Sequence, residues 1–172
     1  LFRSEARQRF RHPETNPSVL WSNGVAVGVR GGFGRPEVTY FDPQGVEARL
    51  HATLQRAFPG QDVVITARSR DGQLTMVYVH SDRQPGEYYV HDAATRKVEF
   101  LMANDDWIDP DRTARMRPVS LQARDGLMLH GLLTAPVGGE ARNAPLVVLV
   151  HGGPFDVSDE WGYDPMVQLL AA

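Results

Sequence analysis

Leu146-Val-Val-Leu-Val150 runs directly into His151, Gly152, Gly153 and Pro154, an order of residue types with a chemical use. An unbroken apolar run between Pro145 and a glycine pair predicts a strand buried on both faces. The glycines that follow leave backbone N–H groups unshielded. Free N–H groups at the carboxyl end of a buried parallel strand suit an oxyanion that develops during acyl transfer. His151, Gly152 and Gly153 are therefore candidates for an oxyanion hole or its scaffold, and Phe155 lies just past the turn. The chain contains no Gly-x-Ser-x-Gly nucleophile elbow. Ser120 and Ser158 are the nearest hydroxyls in sequence to pair with His151, and neither sits in an elbow context. His151 is accordingly read as a hydrogen-bonding scaffold for the turn rather than as a general base.

The remaining histidines fit no metal pattern. His80 and His91 end apolar strands, His51 falls on the polar side of a helix, and their spacing is not that of a zinc site. Asn104-Asp-Asp-Trp-Ile-Asp-Pro-Asp111 concentrates carboxylates but lacks the alternating ligands and central glycine of a calcium loop, so it reads as a capping, solvated linker. No metal or cofactor is expected. Trp161 and Tyr163 read as packing anchors.

Composition bounds the partners. Across 172 residues, 42% are hydrophobic and 23% charged, with a formal net charge of −3. That is a globular composition with too mild a charge to call for nucleic acid or an anionic membrane. Arg3, Arg7, Arg9 and Arg11 form a locally basic stretch, interrupted by Glu5 and read as solvated. The absence of cysteine excludes disulfide and thiolate chemistry and leaves the compartment open. The longest apolar run is far too short to span a bilayer. The start on Leu1-Phe2, without Met or a signal-peptide core, fits a chain cut from something longer.

The elements that must position the turn are mostly strands. Val19–Trp21, Val25–Val29 and Val38–Phe41 are strand-like, with Asn23-Gly24 and the 31–34 loop between them. Val46, Leu50, Leu54, Ala57 and Phe58 share a helical face that Pro59-Gly60 ends. Four strands follow, near 63–67, 74–79, 87–90 and 97–102, on turns short enough for antiparallel neighbours. Such a meander, apolar on both faces, calls for neighbouring sheets, as in a β-propeller blade. The competing arrangement is an independent antiparallel domain with the 46–58 helix packed on it. A helical turn is expected after Asp109-Pro110, a hairpin across Arg124-Asp-Gly126, and a helix from about Pro165.

Arg124-Asp-Gly126 with Gly131-Leu-Leu-Thr-Ala-Pro136, the 145–154 segment, Asp159-Glu-Trp-Gly-Tyr-Asp-Pro165 and Val167-Gln-Leu-Leu-Ala171 together resemble the prolyl oligopeptidase family of serine peptidases. The likeness is to its acylaminoacyl-peptidase and dipeptidyl-peptidase-like members. It is specific over 118–172 and diffuse over 17–117. The resemblance implies antiparallel β-propeller blades over residues 1–116, followed by the N-terminal part of an α/β-hydrolase domain over 117–172. It also implies a peptide substrate, an oxyanion role for the His151–Gly153 turn, and Phe155 near the substrate pocket. The family's Ser, Asp and His triad would lie beyond Ala172, leaving this chain inert alone, with an unpaired sheet edge that invites self-association. Two alternatives stand beside this: a carboxylesterase or lipase of the same fold, and a noncatalytic binding or assembly module.

Overall fold

Local turn chemistry accounts for most of the architecture seen in the computed structural model, which describes residues 15–139, 142–154 and 157–172. The basic stretch at Arg3 to Arg11 and the candidate Phe155 lie outside the described residues. Asn23 and Gly24 both adopt positive φ, 49° and 75°. That is the turn whose twist matches antiparallel neighbours, so it joins β1 (Ser18–Ser22) to β2 (Val25–Gly31) as a hairpin. β3 (Glu37–Tyr40) completes a three-stranded sheet of order β1-β2-β3.

Helix α1 (Val46–Ala57) follows, and then β4 (Asp62–Arg68), β5 (Leu74–His80), β6 (Glu87–Asp92) and β7 (Lys97–Ala103) form an antiparallel meander in chain order. Its connections are closed by side chains suited to turns. Asp71 Oδ1 accepts from Gln73 N–H at 3.0 Å, and Asp92 Oδ1 accepts from Ala94 N–H at 2.8 Å. Gly86 has φ +127°, and an added Cβ would overlap the Tyr78 ring, whose hydroxyl donates to Pro85 O at 2.8 Å. Only glycine fits that corner.

The core lies between α1 and one face of this sheet. Leu54 from the helix meets Val63, Val77 and Val79, all at most 1% exposed, with Leu50, Phe58, Ile65, Tyr89 and Val98 around them. The competing arrangement's helix-on-sheet packing is therefore present locally. The chain is mostly antiparallel β, consistent with propeller-like blades: both sheets keep exposed apolar residues, including Trp21 (67%), Phe100 (59%) and Met102 (53%).

A short 3-10 turn at Pro110–Arg112 is capped by Asp109, as the Asp-Pro pair predicts. β8 (Met116–Gln122) and β9 (Met128–Thr134) form a separate hairpin, and α2 (Pro165–Ala171) closes the described chain. Among the described residues no helix is long and apolar enough to cross a membrane.

One expectation fails outright. Residues 146–150 form no strand, and Leu146, Val147, Val148, Leu149 and Val150 are 77, 56, 70, 47 and 84% exposed. A strand is defined by a neighbour that takes its backbone hydrogen bonds, and apolar faces stay buried only under covering layers. Among the described residues nothing lies alongside this run to do either.

Candidate functional site

His151, Gly152 and Gly153 follow that exposed run and are exposed themselves. The His151 imidazole Nδ1–H donates to Gly152 O at 2.6 Å. A Cβ at Gly152 or Gly153 would meet nothing within 4 Å. Their amide N–H groups have no partner among the described residues, so they are available as donors. Free amide N–H groups can polarise a carbonyl but supply no nucleophile.

The hydroxyls do not complete it. Ser120 Oγ sits 2.9 Å from His130 Nδ1, its partner across the β8–β9 register, and His130 packs edge-on against Phe33 at 5.1 Å. This Ser–His pair lies on an exposed strand face with no carboxylate hydrogen-bonded to the imidazole among the described residues, so the histidine lacks the orienting third group of an activated nucleophile. Among the described residues Ser158 makes no hydrogen bond to His151.

Two polar clusters have no counterpart in the sequence motifs. Asp62, 2% exposed, accepts from His80 Nε2 at 3.0 Å and is paired with the Arg30 guanidinium. Burial pushes the Asp62 carboxyl upward, but the His80 hydrogen bond and the Arg30 charge together outweigh it and hold the group below its ordinary value. His80 in turn stacks on Tyr78 at 5.0 Å and faces Trp161 at 6.3 Å. This links the first sheet, the second sheet and the segment after the glycine turn. Trp161 is 8% exposed, the packing anchor expected of it. Only the register pairing Asp62 with His80 brings these groups together, and register is not written in either residue alone.

The second cluster lines a cavity of about 250 Å³ between the first sheet, α1 and β4. Ser22 donates to Glu47 at 2.9 Å and Arg68 approaches the same oxygen at 3.4 Å, so the Ser22 bond first, with Arg68 assisting, lowers the Glu47 carboxyl. Burial and the Glu47 charge raise the Tyr40 phenol. His51, expected on the polar helix face, instead bonds Val63 O at 3.0 Å and packs near Tyr40. The arginines lining the cavity, Arg30 and Arg68, are each matched by a carboxylate, which makes it a neutral structural seam.

Among known proteins, the chain is 29% identical over 157 residues to dipeptidyl aminopeptidase BIII of Pseudoxanthomonas mexicana, an alignment covering 87% of this chain and 22% of that protein. No family model and no solved structure matches the chain. The sequence is thus distantly similar to a peptidase, and it spans about a fifth of that relative's length.

Proposed function

We propose that the chain is part of a serine-type peptidase of the prolyl oligopeptidase family, with residues 1–116 ending a β-propeller and 117–172 opening an α/β-hydrolase domain. The observation that carries this reading is the similarity to a dipeptidyl aminopeptidase across 87% of the chain. The turn's amide N–H groups, without a partner among the described residues, favour the same reading, because acyl transfer needs donors where negative charge develops. In the proposed reaction a serine attacks the carbonyl of a peptide near its N-terminus and expels the remaining peptide as the amine. Water then resolves the acyl-enzyme. Gly152 and Gly153 N–H groups stabilise the oxyanion in both steps, and His151 holds their turn. The nucleophile, acid and base come from sequence outside these 172 residues, and the 172-residue chain alone is inactive.

The test uses the protein extended along its own gene past Ala172. It should release coumarin from a dipeptidyl-aminocoumarin with a free N-terminus. Hydrolysis of simple esters with no amide turnover would replace the peptidase reading with the esterase one.

A further inference from the structure

Of the chain's asparagines only Asn23 precedes a glycine; Asn16, Asn104 and Asn143 precede Pro17, Asp105 and Ala144. The neighbour matters because a backbone nitrogen can attack the side-chain carbonyl of the residue before it. Glycine brings no Cβ to obstruct that approach, and proline has no N–H to lose. Asn23 and Gly24 are exposed at the tip of the β1–β2 hairpin, and a Cβ on Gly24 would meet nothing within 4 Å. Among the described residues neither the Gly24 N–H nor the Asn23 carboxamide has a hydrogen-bond partner.

Two aspartate–glycine turns lack that freedom. At Asp71-Gly72 the Gly72 N–H donates to Ser69 O at 2.9 Å, and Asp71 Oδ1 accepts from Ser69 Oγ at 2.6 Å and Gln73 N–H at 3.0 Å. At Asp125-Gly126 the Gly126 N–H donates to Ala123 O at 3.0 Å, and Asp125 Oδ1 accepts from Leu127 N–H at 3.1 Å. Nitrogen and side chain are both engaged in each. The Asn23 tip is also thinly held. β1 is an outer strand of its sheet, and its register with β2 shifts between Leu20 and Trp21. Trp21 with Ala26 and Ser22 with Val25 are the pairs left between that irregularity and the turn. Little must therefore break when Asn23 leaves its left-handed conformation, φ 49°, to bring its carbonyl to Gly24.

We propose that Asn23-Gly24 is a self-modification site whose products loosen the β1–β2 tip. The Gly24 nitrogen bonds to Asn23 Cγ, the Cγ–Nδ2 bond breaks, and ammonia leaves with the Gly24 proton. Water then opens the five-membered imide. Opening at Cγ gives aspartate, and opening at the Asn23 backbone carbonyl gives isoaspartate, whose main chain is one carbon longer. Either product adds a carboxylate to the cavity that Asn23 lines together with Glu47, where Glu47 Oε1 accepts from Ser22 at 2.9 Å and from Arg68 at 3.4 Å. The longer main chain also no longer fits the two-residue turn that pairs Ser22 with Val25. None of this depends on the peptidase reading.

The test holds the 172-residue chain in mildly alkaline buffer, folded and in urea, beside Asp71→Asn and Asp125→Asn, which put the same dipeptide into the two engaged turns. Peptide mass mapping and methyl transfer by an isoaspartyl methyltransferase read the rates. Each hydrogen bond that must be given up slows the attack, so in the folded chain Asn23 should convert about 10- to 100-fold faster than the site in either variant. In urea the three rates should converge. Equal rates in the folded chain, or an Asn23 that does not convert, would overturn the site. After conversion the amides of Trp21, Ser22, Val25 and Ala26 should exchange with solvent about tenfold faster. They should stay unchanged in an equally aged Asn23→Gly, which suits the same turn and carries no carboxamide. Conversion without faster exchange would overturn the loosening of the tip.

Discussion

Replacing Asp62 by asparagine tests the electrostatic seam between the two sheets. The carboxylate is 2% exposed and holds Arg30 and His80, whose side chains are 21 and 17% exposed. The carboxamide of Asp62→Asn keeps an acceptor but loses the charge, stranding a largely buried guanidinium. Breaking one partner of a buried pair costs about 3–5 kcal/mol, and the residual exposure of Arg30 lowers this to about 2–4 kcal/mol. For a chain of this size that corresponds to a Tm fall of roughly 4–16 °C. The assay is thermal and urea unfolding by circular dichroism between pH 3 and 8. Because Asp62's folded-state carboxyl lies below its ordinary value, its contribution is fully present above the unfolded value of about 3.9 and is lost as pH falls through the folded one. The gap between the native protein and Asp62→Asn should therefore be constant near neutrality and close in acid. A gap under about 0.5 kcal/mol at pH 7, or one that stays unchanged to pH 3, would refute the reasoning.

Gly86→Ala should be severely destabilising, since φ of +127° and overlap with the Tyr78 ring coincide there, and a soluble variant with unchanged urea midpoint would contradict that geometry. Leu54→Ala should cost about 2–5 kcal/mol in urea unfolding, because Leu54 is 1% exposed at the centre of the helix–sheet core. Tyr89 should be the last tyrosine to ionise: burial and the hydrogen bond to Glu87 push its phenol up to about 12, so an alkaline absorbance titration of the phenolate band should lose its most alkaline step in Tyr89→Phe.

The sequence was most legible where one residue type dictates one backbone conformation. Asn23-Gly24, Pro85-Gly86, Asp109-Pro110 and Asp125-Gly126 each mark a turn that the structure contains, and the spacing of Leu50, Leu54 and Phe58 marks the helix face that meets the sheet. Local chemistry is silent about what lies opposite. Asp62 and His80 are brought together by register, and Gln168 reaches Ala114 across 54 residues and Asp82 across 86. Leu146–Val150 shows the converse. Its composition specifies burial, but burial depends on neighbours, and among the described residues none covers it. The candidate turn was legible as glycine backbone beside a histidine, whereas the Gln168 contacts that tie α2 to Asp82 and Ala114 were not.

The most direct test of the central claim is reaction with a fluorophosphonate probe, read by intact mass, on the 172-residue chain and on the protein extended past Ala172. The account predicts no adduct on the former and a single adduct on the latter, at a serine outside residues 1–172. An adduct on the 172-residue chain, at Ser120 or Ser158 for example, would contradict it, as would an extended protein that takes up no probe.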